Sequence, residues 1–163
     1  MRFVVFLDVD GVLNTKTTCA RAPSEVYRGV DDERIKILSK TMKECGTEGV
    51  VLTSTWKDLK SDDEDYLYLT NALSKHGIKI LGKTQESSIG SRGEGIMKYL
   101  VNHNDIEEFV ILDDQHFDFD DDPKLWENYL DTQGKGIEHS VAASKTPTIT
   151  AMDFCEVIKK HSR

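Results

Sequence analysis

The chain has 163 residues, 38% hydrophobic and 31% charged, with 3 Pro and 11 Gly, which excludes collagen, coiled-coil fibres and disordered tails. That length suits one domain with its own buried core. The 21 Lys and Arg against 29 Asp and Glu leave a formal charge of −8, the wrong sign for a general nucleic-acid-coating protein.

Arg2–Leu7 (RFVVFL) is apolar without alternation once begun, as a strand covered on both faces should be. It stops at Asp8, too short for a signal-peptide core or a membrane span, and no later run is longer. Ile35, Leu38, Met42 and Cys45 recur at steps of three and four and predict a helix, with Asp31 as its cap and Gly46 as its stop. Gly49–Leu52 is the second predicted strand. Ser61-x-x-Glu64 has the form of a capping box for a helix burying Tyr66, Leu69 and Leu73 and closing at Gly77. Residues 78–81 predict a third strand, Ser91-x-x-Glu94 a further helix start and residues 109–112 a fourth strand. Residues 139–143 predict the fifth. Thr150-x-x-Asp153 opens the last helix, which turns Ala151, Phe154, Cys155 and Ile158 inward. The alternation implies right-handed crossovers and a Rossmann-like three-layer α/β domain over residues 1–163, with a mostly parallel five-stranded sheet. Cys19, Cys45 and Cys155 are odd in number, widely spaced and without a CxxC pair, as expected for reduced thiols in a cytoplasmic protein.

In open parallel sheets, ligands bind beyond the carboxyl ends of the strands. The first strand is followed by Asp8-Val9-Asp10-Gly11-Val12-Leu13-Asn14, the second by Thr53-Ser54-Thr55-Trp56-Lys57 and the fourth by Asp113-Asp114. Arg92 lies just inside the helix start at Ser91. One aspartate after a strand is ordinarily a turn or cap residue. Three such features at the ends of different buried strands are harder to explain that way. Clustered carboxylates repel one another unless a cation offsets them, and hard oxygen ligands suit Mg²⁺.

FLDVDGVLN, VVLTSTWK, SRGEGI and VILDDQ resemble the four motifs of the haloacid dehalogenase-like (HAD) phosphohydrolase superfamily. The closer resemblance is to the small HAD domain of Swiss-army-knife RNA repair proteins, and it runs from Arg2 to about residue 160. It implies a phosphatase in which Asp8 attacks phosphorus to form an aspartyl-phosphate, while Asp10 protonates the leaving oxygen and then activates water. It implies Mg²⁺ held by Asp8, the Asp10 carbonyl and Asp113, with Asp114 as a ligand or an outer acceptor. Thr53 would bond a phosphoryl oxygen. Arg92 would take the place of the lysine usual in the superfamily, with Lys83 its rival in a loop after the third strand.

Gly11, Asn14, Ser54, Trp56 and Lys57 are expected to line the substrate. Gly11 lets the chain turn away after Asp10. Asn14 either caps a turn or touches substrate, and Ser54 either assists Thr53 or is a loop polar residue. Trp56 either packs on the sheet edge or forms a platform for a flat leaving group, and Lys57 is either solvated or a second cation. Glu94 is expected to be the capping partner of Ser91. Little chain is left for a cap domain, and residues 15–30 read as a short flap. The expected partner is thus a phosphorylated substrate, either a small molecule or a nucleic-acid end, reached without a membrane. A non-catalytic phosphoacceptor or binding domain on the same scaffold is the alternative.

Overall fold

A computed structural model describes residues 2–163. Its strands are β1 (Arg2–Leu7), β2 (Gly49–Leu52), β3 (Ile80–Lys83), β4 (Ile106–Asp113), β5 (Tyr129–Asp131) and β6 (Val141–Ala142). They form one sheet in the order β3-β2-β1-β4-β5-β6, parallel throughout except for β6, which runs antiparallel to β5. The helices are α1 (Asp32–Cys45), α2 (Glu64–Ser74), α3 (Arg92–Asn102), the short α4 (Pro123–Trp126) and α5 (Ile149–His161). No helix among the described residues is long and apolar enough to cross a membrane.

The uninterrupted apolar run of β1 divides between two cores. Phe3, Val5 and Leu7 pack with α1, α2 and α5, through residues such as Leu38, Leu69 and Phe154. Val4 and Phe6 face α3 and α4, through Ile96, Leu100 and Leu125. Right-handed crossovers explain the layers. The chain steps from β1 to β2 to β3 with its helices on one face, then reverses to β4 and β5 and must cross on the other. The reversal falls between β1 and β4, so the chain ends of those two strands flank the crevice of the sheet.

The α/β class and the parallel core agree with the sequence expectation, but the sheet has six strands rather than five. Tyr129–Asp131 carries no readable period at three residues, yet Tyr129 and Leu130 are buried in different cores. The segment expected as the fifth strand, residues 139–143, holds the two-residue β6 just after a 3₁₀ turn at Ile137–His139, so the additional strand is β5. The third strand starts at Ile80, because Ile78 is occupied in closing α2.

Three expected capping boxes do not form. Asp63, not Ser61, caps α2 by accepting from the Asp65 N–H at 2.8 Å, and Thr148, not Thr150, caps α5 by accepting from Ala151 at 3.1 Å. Ser91 turns back to the Ser88 carbonyl, and Glu94 bonds Ser87 and Lys98 instead. Asp31 precedes α1 but gives its carboxylate to Thr18 and Arg34.

Residues 15–30 form a narrow antiparallel ribbon with a bridge between Arg21 and Arg28. Its tip is tied to α2, where the buried Asp65 carboxylate accepts from the Ser24 N–H at 3.0 Å and from the Ser24 hydroxyl. Its return limb is fixed by Val30, whose N–H donates to the Tyr68 hydroxyl at 3.1 Å.

Candidate active site

The backbone ladder runs one step past the carboxyl ends of the strands. Thr84 donates to Leu52, Thr53 to Leu7, Asp8 to Leu112 and Thr132 to Asp113, each at 3.0 Å. This row fixes the candidate residues on one edge of the sheet. Asp8 and Asp113 are neighbours across the β1–β4 crevice and are 5% and 0% exposed. One carboxylate oxygen from each of Asp8, Asp113 and Asp114 lies within 4.8 Å of the others.

Arg92, the first residue of α3, reaches into this group. Its Nη1 is 2.8 Å from Asp113 Oδ2 and 3.2 Å from Asp8 Oδ1. Burial pushes the Asp8 carboxyl well above the usual aspartate range, and the charge of Asp113 adds to the shift while Arg92 opposes it. Burial also raises Asp113, to about 6, against the opposing pull of Arg92. For Arg92 itself burial disfavours the cation, but Asp113 and Asp8 outweigh it and its pKa rises. Three carboxylates facing one guanidinium leave an excess of negative charge. An all-oxygen donor set with that excess fits a hard divalent cation such as Mg²⁺.

The carboxylate of Asp10 stands apart from the trio and accepts from Asn14 Nδ2 at 3.0 Å. Asn14 is fully buried. The same Nδ2 donates to the Gly29 carbonyl at 3.0 Å, while its Oδ1 accepts from the Gly11 N–H at 3.1 Å. It therefore holds the turn and aims Asp10 rather than facing substrate. Gly11 has φ +84°, and a Cβ there would come within 2.5 Å of the Asp114 carboxylate. Its role is backbone shape and room for Asp114. The Gly11 carbonyl accepts from the Thr132 hydroxyl at 2.8 Å and the Gly136 N–H at 3.1 Å, so the loop after β5 braces the turn after β1. Thr132 was invisible in the sequence because β5 was.

After β2, Thr53 is fully buried and its hydroxyl has no partner, which leaves it free to bond a ligand at the strand end. Ser54 does not assist it, because its oxygen accepts from the Trp56 N–H at 3.2 Å and caps the 3₁₀ turn Thr55–Asp58. Of the two readings of Trp56, the structure shows the packed one rather than the platform. The indole is 0% exposed and its ring lies 4.5 Å, centroid to centroid, from that of Tyr27 in the ribbon. Lys57 is not solvated either. Its Nζ is buried and donates to the Thr53 carbonyl at 3.1 Å and to Glu86 at 2.6 Å, so it braces the residue expected to bind phosphate.

Lys83 ends β3 rather than sitting in a loop, and its Nζ bonds the Leu59 carbonyl and lies 4.2 Å above the Tyr66 ring. Arg92 is thus the cation at the carboxylates. Two residues unforeseen in the sequence hold it there. The Phe117 ring lies 4.3 Å from the guanidinium carbon, and Asp118 accepts from the Gly93 and Glu94 N–H groups at 2.6 and 3.1 Å. Asp118 supplies from across the crevice the cap that Ser91 does not. The signal lay in the acidic run after β4, where a helix cap and a metal rim look alike.

A parallel sheet carrying these acids at the ends of its two central strands defines a HAD-like α/β domain. Residues 4–140 match the family described as the HAD domain in Swiss Army Knife RNA repair proteins, and the chain belongs to that family. Among solved structures, it resembles a protein of Legionella pneumophila described as a HAD superfamily (subfamily III A) hydrolase. The identity is 15%, with 99% of this chain and 84% of that one covered and a TM-score of 0.44. A hypothetical protein from Xanthomonas campestris is similar at 12% identity, with 99% and 83% covered and a TM-score of 0.46. Comparison with curated proteins gives no match.

Proposed function

We propose that this HAD domain is a Mg²⁺-dependent phosphomonoester hydrolase acting through an aspartyl-phosphate. The observation that carries the reading is the buried Asp8 carboxylate beside Arg92, Asp113 and Asp114, with the unpartnered Thr53 hydroxyl at the end of the adjacent strand. Asp8 attacks phosphorus and forms the new O–P bond as the ester O–P bond breaks. The leaving oxygen takes its proton from Asp10, which Asn14 orients. Asp10 then removes a proton from water as that water attacks the phosphorus, and inorganic phosphate departs with Asp8 restored. Thr53 donates to a phosphoryl oxygen, and Arg92 favours the ionised form of Asp8 and aligns it. Mg²⁺ held by Asp8, Asp113, Asp114 and the Asp10 carbonyl would neutralise charge between the anionic nucleophile and the anionic phosphate.

The substrate is a bulky phosphomonoester, with a nucleic-acid end among the class. Two points support this: among the described residues the segment between β1 and α1 holds no element larger than the short ribbon, and the family is described from RNA repair proteins. We assign the enzyme to the cytoplasm, in keeping with three free cysteines.

The test is turnover of 4-nitrophenyl phosphate and of a panel of phosphorylated nucleotides, sugars and oligonucleotides. Activity is expected with Mg²⁺ and lost on chelation. Asp8→Asn should abolish it, and Asp10→Asn should lower kcat by about 10² to 10⁴. Absence of turnover across the panel would reject the enzyme, and a single stoichiometric phosphorylation of Asp8 would make it a phosphoacceptor.

A further inference from the structure

The ribbon at residues 15–30 holds Lys16, Arg21 and Arg28 against one acid, Glu25, in a chain whose net charge is −8. Arg21 and Arg28 are partners in its antiparallel bridge, which puts both side chains on the same face of the ribbon. Like charges directly opposed across a ribbon destabilise it unless something neutralises them. Three of the other four arginines are matched, Arg2 to Glu48 and Asp105, Arg34 to Asp31 and Glu138, and Arg92 to Asp8 and Asp113, while Arg163 on the tail is not. Among the described residues, neither Arg21 nor Arg28 makes an ion pair or a side-chain hydrogen bond. With so many acids available, two unmatched opposed arginines call for an anion from outside.

Their position says which anion. The inner face of the ribbon is taken up by the buried Ala22 and by Tyr27 against Trp56, so the arginine pair lies on the outer face. Gly29, the residue after Arg28, receives the Asn14 amide that also holds Asp10. The ribbon backbone next to Arg28 therefore abuts the turn that carries the group proposed as general acid. Asp65 and Tyr68 anchor the ribbon on both sides of the bridge, so the arginines do not need the ligand to be put in place. Two guanidinium groups offer the paired donors that phosphate oxygens accept.

We infer that Arg21 and Arg28 form a subsite for a second phosphate carried on the same substrate molecule as the scissile one. This rests on the phosphatase reading and adds the substrate's class: a compound with at least two phosphates, whether a small bisphosphate or a strand with phosphodiesters.

The experiment compares wild type with the Arg21→Gln/Arg28→Gln and Arg21→Lys/Arg28→Lys double variants. The substrates are 4-nitrophenyl phosphate, adenosine 3′,5′-bisphosphate and a 3′-phosphorylated hexaribonucleotide. The Gln variant should lower kcat/KM for a two-phosphate substrate, relative to 4-nitrophenyl phosphate, by about tenfold through KM. Lysine should restore much of it. An effect on the bisphosphate identifies a single second phosphate as sufficient, and an effect on the hexaribonucleotide alone identifies the strand. Binding of the labelled hexaribonucleotide and of the bisphosphate in EDTA gives a readout without turnover. If both ligands bind wild type and the Gln variant equally, or if all three substrates suffer alike, the subsite is overturned. Weakened binding with no turnover in wild type would instead keep the subsite and reject the phosphatase.

Discussion

The guanidinium of Arg92 is gripped from several directions. Asp113 and Asp8 hold its Nη1, the Phe117 ring lies along its carbon, and Asp118 fixes the helix start from which it projects. A lysine could carry the charge there, but it has no planar face to lie on Phe117. Phe117 adopts φ 43°, an uncommon conformation for a side chain of that size, so the loop accepts strain to present the ring. Arg92→Lys is therefore expected to lower kcat/KM by about tenfold, and Phe117→Leu by several-fold, on the scale of a partly desolvated cation–π contact. The double variant should be little worse than Arg92→Lys alone, because the stack can be lost only once. Steady-state kinetics on all four proteins closes the cycle. Additive losses would show that Phe117 does not act through Arg92.

At the scale of elements, the sequence made the middle of the sheet readable and its margins obscure. β1, β2 and β4 are apolar runs because helices cover both faces, and the chemistry follows directly where each run stops. That is why Asp8, Thr53 and Asp113 could be picked out. β5 is too short for periodicity to register, and Thr132 was lost with it, while the expected strand at residues 139–143 shrinks to the two-residue β6. The caps misled for a related reason. A capping box is a local pattern, but Asp118 caps α3 from more than twenty residues away, and nothing local announces it. The sequence lets Trp56 either pack or serve as a platform and Lys57 be either solvated or a second cation, and only the fold decides, since Tyr27 covers one and Glu86 binds the other. The ribbon that supplies Tyr27 depends on one carboxylate. Asp65→Ala leaves the Ser24 N–H and hydroxyl without their acceptor and should free the ribbon tip from α2. Limited proteolysis is expected to cut near residues 23–26, and Trp56 emission to shift to the red, while far-UV circular dichroism stays native. Unchanged protease resistance would mean the ribbon is held by its other contacts.

Over the whole molecule, the charge of −8 is not one acidic rim. Of the six aspartates between residues 113 and 122, Asp113 and Asp114 belong to the site. Asp118 caps α3, and Asp122 caps α4 by accepting from the Lys124 N–H at 2.9 Å. The trio Asp8, Asp113 and Asp114, which Arg92 offsets only in part, couples the fold to pH and to metal. Burial raises the Asp113 pKa from 3.8 to about 6, and it raises Asp8 as well. Between those values the folded protein binds more protons at these groups than the unfolded chain does. Their contribution to stability therefore falls as pH rises through that window. Asp113→Asn removes one such group, so in EDTA its stability should decline less than that of wild type between pH 4 and 6. Divalent metal should act in the opposite sense at neutral pH. At a hundredfold excess over Kd, Mg²⁺ is worth about 2.7 kcal/mol, or about 5–10 °C in Tm for a domain of this size. The shift should vanish in Asp113→Asn and survive in Asp65→Ala, whose carboxylate lies outside the trio. Thermal unfolding with and without Mg²⁺ reads both effects without any substrate. A wild-type Tm indifferent to Mg²⁺ at neutral pH would refute the metal site while leaving the pH result to stand alone.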